Sequence, residues 1–187
     1  MKFCSNCGTS GIEFKTPPGD NRARHVCPEC DSIFYDNPRI VAGTIPVWED
    51  RILMCRRAIE PRRGFWTLPA GFMENAESSF DAAARETLEE ANARVDRLEL
   101  YSVFNLPHVN QVYMMFRAQL LDLDFSAGQE SLEVALLSEA EVPWSELAFA
   151  TIQHTLEHFF SDRKAGRYPV RTGDILRVDG ATLYRQR

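Results

Sequence analysis

At 187 residues and 44% hydrophobic, the chain is long enough to bury one sizeable core plus a small appendage. A net charge of −6 argues against a broad nucleic-acid or membrane surface. No stretch is apolar enough to span a bilayer and Met1-Lys2-Phe3-Cys4 opens no signal peptide, so a cytoplasmic location is expected.

The chain begins with Cys4-x2-Cys7, and Cys27-x2-Cys30 follows after nineteen intervening residues. Four thiolates at that spacing predict a structural Zn²⁺ site. Gly8, after Cys7, suits the knuckle that bends a backbone round a metal. A segment of about thirty residues is too short to fold on apolar burial, so the ion would supply its stability. Disulfides are disfavoured in a reducing compartment, and a redox CxxC does not account for two pairs. Lys15, Arg22, Arg24 and His25 give a basic tint that Glu13, Asp20, Glu29 and Asp31 offset. That balance favours a packing or dimerisation role over nucleic-acid binding. The fifth cysteine, Cys55, reads as core rather than nucleophile.

Asp36-Asn37-Pro38 is turn chemistry and divides a ribbon, residues 1–36, from a second domain, residues 37–165. Residues 40–48 and 52–55 predict two strands joined at Glu49-Asp50-Arg51, and residues 64–71 a loop-rich lead into a helix. Ser78-Ser79-Phe80-Asp81 has the spacing of a capping box, and Asn92, tolerant of the left-handed conformation, is a stop. At about 100° per residue, Phe80, Ala84, Thr87, Leu88 and Ala91 share one stripe and Glu86, Glu89 and Glu90 lie opposite. The helix is therefore expected to bury the first set and offer acid on the other. Like charges at these spacings cost a few tenths of a kcal/mol per pair. Hard oxygen donors in such a cluster suit Mg²⁺ or Mn²⁺ rather than zinc. A solvated charged face, with Arg85 and Glu89 paired, explains the cluster equally well on these residues alone.

Residues 98–104, 111–121 and 132–137 predict further strands, and residues 150–160 a closing helix in which His154 and His158 are ordinary helix positions. Strands mixed with two helices indicate an α+β sandwich with the sheet between helices. Residues 166–187 are polar and read as a C-terminal extension, an extended tail available to another subunit.

Gly71, five residues, Glu77, seven residues, Arg85-Glu86, two residues and Glu89-Glu90 form a pattern similar to the Nudix box, the signature of hydrolases that cleave a nucleoside diphosphate linked to another moiety. Asn92 stands where that family usually has glycine, and Thr87 and Ala93 where it has a larger aliphatic. The ribbon followed by NPRIVAGTIPVWEDRILMCRRAIEPRRGFWTLPAGFME resembles the zinc-ribbon branch, which includes NADH diphosphatases. Those carry an SQPWPFP-type motif shortly after the box. This chain has YSVFNLPH there instead. The segments from Asn105 to Tyr113 and from Gly128 to Glu133 look closer to plant organellar FAD/ADP-ribose diphosphatases.

The resemblance implies a Nudix α/β/α sandwich with a mixed sheet, a homodimer, and Mg²⁺- or Mn²⁺-dependent hydrolysis of FAD, ADP-ribose or NADH with release of AMP. Glu86, Glu89 and Glu90 would hold the catalytic ions with a carbonyl near Ala70 or Gly71, and Arg85 would anchor the loop and helix through Glu77. Glu130 is the first candidate for base or extra ligand and Glu133 the second. A nucleotide ring needs an apolar slot and phosphates suit arginine. Arg56, Trp66, Phe72 and Phe104 are the substrate-binding candidates, and His108 is expected to face the cleft. Two other readings use the same box: a house-cleaning nucleoside triphosphate pyrophosphohydrolase, and a non-catalytic ligand sensor or regulator.

Overall fold

The computed structural model describes residues 1–187 as two compact units, Met1–Asn37 and Pro38–Arg187. In the first, β1 (Glu13–Lys15), β2 (Arg24–Val26) and β3 (Ile33–Phe34) form a small antiparallel sheet in that order. Each CxxC pair turns back on itself: Gly8 N–H donates to the Cys4 carbonyl at 2.9 Å and Asp31 N–H to the Cys27 carbonyl at 3.0 Å. Cys4 and Cys27 are buried, and the only other buried residues of this unit are Pro17 and Val26. So little apolar burial cannot hold thirty-odd residues together.

The second unit is one mixed sheet with two helices. Its elements are β4 (Arg39–Trp48), β5 (Arg51–Arg57), β6 (Trp66–Thr67), β7 (Ala70–Phe72), α1 (Ser79–Ala91), β8 (Val95–Leu106), β9 (Gln111–Leu120), β10 (Ser131–Leu137), α2 (Ala150–Ala165), β11 (Arg171–Val178) and β12 (Ala181–Gln186). The strand order is β10-β5-β4-β9-β8-β11-β12, with β6 on β5 and β7 on β4. The β4–β9 and β8–β11 pairs are parallel and the rest antiparallel. Successive strand residues face opposite sides, and the core divides accordingly. Ile45, Tyr101 and Met115 pack with Ile152, Leu156 and Phe159 of α2. Ala42 and Phe116 pack with Ala82 and Ala83 of α1. The sheet therefore lies between two helices, the α/β/α sandwich expected from the pattern.

Helix α1 begins and ends as its sequence dictates. Ser78 Oγ accepts from Asp81 N–H, the Asp81 carboxylate accepts from Ser78 N–H, and Asn92 closes the helix at φ 47°. Its buried face differs from the expected one. Ala82, Ala83, Glu86, Thr87, Glu90 and Ala91 face inward, while Phe80 and Leu88 are about half exposed at 48% and 49%. Small side chains let the helix sit close to the sheet, where Thr87 Oγ1 meets Thr44 Oγ1 at 2.6 Å in the core. Glu86 and Glu90 thus line the seam between helix and sheet rather than the far side of the helix, while Glu89 stays exposed.

Residues 166–187 are no free tail. β11 runs parallel to β8, with Arg171 opposite Ser102 and Asp174 opposite Asn105, and β12 turns back along it. Buried Asp162 of α2 accepts hydrogen bonds from Arg171 and from Tyr101 Oη. Asp174 accepts from Arg187 at 2.7 Å and from Asn105 at 3.1 Å. Pairing thus satisfies the polar residues that suggested a tail.

Candidate active site

The acids of α1 are organised by one arginine. Arg85 donates from Nε and Nη2 to the two Glu77 oxygens at 3.0 and 2.8 Å, from Nη1 to Glu86 at 2.8 Å and Glu89 at 2.9 Å, and from Nη2 to the Phe72 carbonyl at 3.2 Å. Glu77 also accepts from Glu74 N–H at 2.6 Å. Arg85 and that N–H hold the Glu77 carboxyl down at about 2. The bidentate pair pins the loop after β7 to the helix, so Glu77 is a strut for the site.

Glu86 and Glu90 lie one turn apart in the seam. Burial raises the Glu86 carboxyl, against the pull of Arg85. Burial and the neighbouring Glu86 charge push Glu90 up to about 8, although Ala70 N–H donates to it. Glu90 Oε2 is buried without a hydrogen-bond partner. Two crowded carboxylates and an orphaned carboxylate oxygen, all hard oxygen donors, fit a divalent cation such as Mg²⁺ or Mn²⁺. Gly71 on β7 belongs to the same seam, since a Cβ there would fall on the Glu86 carboxylate.

Glu130 reaches the site on a loop tied to the end of α1. Gly128 N–H donates to the Glu90 carbonyl and Ser126 N–H to the Ala91 carbonyl, both at 2.9 Å. A side chain on Gly128 would strike the Glu89 carbonyl. The Asn92 amide donates to Ser126 O at 3.2 Å, so this asparagine both ends the helix and tethers the loop, which glycine would not do.

A cavity of about 1490 Å³ opens over these groups. Its wall includes Arg85, Glu86, Glu89, Glu90, Glu130, Phe72 and His108. The other substrate candidates do not reach it. Phe104 is fully buried and Trp66 nearly so, both spent on the core. Arg56 donates to the Gly64 carbonyl at 2.9 Å and pairs with Glu133 at 3.6 Å, which takes both residues away from the cavity. Arg57, its neighbour in the strand, points the other way and lines the cavity instead. His154 and His158 do not converge on a metal: His154 bonds Glu157 at 2.8 Å and His158 bonds Tyr184 Oη at 2.8 Å. Burial, and then the Glu90 charge, raise the Cys55 thiol far above its ordinary value, so it is an inert core residue. Sequence reasoning missed Ile175, Arg177 and Thr182, which complete the wall from β11 and β12. No local signal marks them, because only the parallel pairing with β8 brings them there.

In the N-terminal unit the four sulfurs of Cys4, Cys7, Cys27 and Cys30 lie within 4.8 Å of one another. The Cys4–Cys30 and Cys7–Cys27 separations are 3.7 and 3.6 Å. A tetrahedron with Zn–S bonds of about 2.3 Å has edges of about 3.8 Å, so the thiolates fit zinc. Extracting the ion with a strong chelator is expected to abolish amide protection in residues 1–37, as read by hydrogen exchange, with restoration on adding Zn²⁺.

Residues 2–36 match the zinc-ribbon family described as Nudix N-terminal, and residues 37–166 match the NUDIX domain family. The chain is 28% identical over 174 residues to the NAD-capped RNA hydrolase NudC of Vibrio parahaemolyticus, covering 87% of this chain and 62% of that protein. It is 30% identical over 142 residues to the protein of the same name from Edwardsiella ictaluri, covering 75% and 50%. The chain spans about three fifths or less of the curated relatives it matches. The crystal structure of a NUDIX hydrolase from Nitrosomonas europaea superposes with a TM-score of 0.91 at 53% identity, covering 94% of this chain and 99% of that one. A bifunctional NMN adenylyltransferase/ADP ribose pyrophosphatase from Francisella tularensis shares the fold alone, with a TM-score of 0.58 at 20% identity over 70% of this chain and 42% of that one. With both of its units matched, the chain belongs to the Nudix family, in the branch that carries a zinc ribbon ahead of the NUDIX domain.

Proposed function

We propose that this protein hydrolyses the diphosphate linkage of a nucleoside diphosphate derivative, FAD, ADP-ribose or NADH, releasing AMP. The observation that carries the reading is the seam of Glu86 and Glu90, with Glu89 exposed beside it, opening into a nucleotide-sized cavity, with a buried Glu90 oxygen left without a partner. Glu86, Glu89 and Glu90, with a carbonyl of Ala70 or Gly71, would hold a divalent cation, which when bound would supply charge neutralisation for the diphosphate and lower the pKa of a water. Glu130, exposed on the cavity wall beside Glu86 and Glu90, is placed to accept a proton from an attacking water at its carboxylate. Arg85 and Glu77 keep the acids in place, and Arg57 faces the phosphates. The curated relatives are named for NAD-capped RNA, whose cap contains a linkage of the same kind, so a capped oligonucleotide belongs among the substrates tried.

The test is turnover of FAD, ADP-ribose, NADH, a capped oligonucleotide and a nucleoside triphosphate with Mg²⁺ or Mn²⁺, comparing the intact chain with Glu89→Gln. AMP from a diphosphate substrate is expected, falling about 100-fold or more in the variant, because metal-held charge neutralisation contributes several kcal/mol. Glu89 is exposed and bonds only Arg85, so its loss spares the packing. Pyrophosphate from the triphosphate alone would favour the house-cleaning reading, and no turnover at all would favour the sensor.

A further inference from the structure

The cavity has a second end that the acidic helix does not build. Leu106, at the end of β8, and Val109, in the short turn after it, form one side. Ile175, Arg177 and Thr182 of the C-terminal hairpin form the other. The parallel register, Gly173 opposite Phe104 and Asp174 opposite Asn105, carries Ile175 level with Leu106. Arg177 stands opposite Thr182 across the hairpin. Gln111, the first residue of β9, adds an amide to the same wall.

Four arginines line the cavity, and three are engaged. Arg85 is held by Glu77, Glu86 and Glu89. Arg57 donates to the Pro61 carbonyl and lies over the Phe149 ring. Arg62 lies over the Phe65 ring. Arg177 makes no hydrogen bond, ion pair or ring contact, although its hairpin is braced by Arg171 on Asp162, Arg187 on Asp174 and Tyr184 on His158. An unengaged guanidinium on a fixed strand is a donor positioned for a ligand.

Three aliphatic side chains flanked by a guanidinium, a hydroxyl and an amide suit a flat ring with acceptors on its edge. A sugar, with hydroxyls on every side, would leave several of them against Leu106, Val109 and Ile175 without partners. We infer that the β11–β12 hairpin is the specificity wall for the moiety beyond the diphosphate, and that it takes a planar heteroaromatic ring with carbonyl acceptors, to which Arg177 donates. This rests on the diphosphatase reading. Flavin and nicotinamide rings share that chemistry.

The experiment measures binding of FMN, nicotinamide mononucleotide and ribose 5-phosphate to the intact chain, Arg177→Ala and Arg177→Lys, together with KM and kcat for FAD, NADH and ADP-ribose. One ring mononucleotide is expected to bind more tightly than ribose 5-phosphate and to weaken about tenfold in Arg177→Ala, with partial recovery in Arg177→Lys. Which one binds identifies the ring. KM for the matching dinucleotide is expected to rise by a similar factor at constant kcat, with ADP-ribose within twofold. Equal losses for all three substrates, no loss for any, or equal binding of ribose 5-phosphate would overturn the inference. Ring binding that depends on Arg177 in a chain that hydrolyses nothing would sink the diphosphatase reading and leave this one standing.

Discussion

Substituting Gly71 with alanine is expected to lower kcat/KM about 100-fold while shifting the melting temperature by no more than a few degrees. The Cβ would land on the Glu86 carboxylate, the free end of a side chain, so the carboxylate moves and the backbone stays. Gly71 has an ordinary negative φ, so alanine suits its backbone. The variant therefore misplaces one acid without unfolding the seam. Displacement of a catalytic group by about 1 Å costs on the order of 100-fold. Kinetics and a thermal melt on the same preparation provide the check. Turnover within twofold of the parent would mean that the Glu86 position is not needed for the reaction.

Asp162→Ala is expected to cost about 2 to 3 kcal/mol of stability at neutral pH, because it leaves the buried Tyr101 hydroxyl without its acceptor and the half-buried Arg171 without its partner. Asp162 and Tyr101 are both buried, joined by a 2.7 Å bond, and Arg171 anchors the first residue of β11 on the same carboxylate. The variant therefore loosens α2, β8 and the hairpin together. Arg171, and then Tyr101 Oη, hold the Asp162 carboxyl below its ordinary value. A depressed carboxyl contributes stability that is fully present above the unfolded-state value and is lost as pH falls through the folded one. The stability gap between the parent and Asp162→Asn, measured by urea unfolding, is thus expected to be widest near neutrality and to close in strong acid. A gap independent of pH would contradict the ion-pair account.

How much of the molecule could be read in advance depended on the range of the signal. The two CxxC pairs announce a four-sulfur cluster because ligand spacing is local, and the sulfurs do converge. The caps of α1 are local too: Ser78, Asp81 and Asn92 behave as their side chains dictate. The buried face of that helix was misjudged because Phe80 and Leu88 carry the apolar area, whereas close approach to the sheet selects Ala82, Ala83 and Thr87. Arg56 and Arg57 differ only in parity along a strand, and parity is set by the sheet. Trp66 and Phe104 show that an aromatic residue cannot be assigned to slot or core by type. The hairpin was least legible, since Asp174 meets Asn105 across 69 positions and the local sequence is merely polar.

That long-range pairing also governs when the molecule becomes selective during folding. Arg85 gathers Glu77, Glu86, Glu89 and the Phe72 carbonyl within 13 positions of sequence, whereas the far wall requires β8 and β11, about seventy residues apart, to find a parallel register. Closing so large a loop is slow relative to local structure. In a refolding experiment, helical signal should recover before ring binding. A chain caught between the two stages would hold the chemistry without the discrimination, so in this protein immaturity would show as promiscuity rather than as silence.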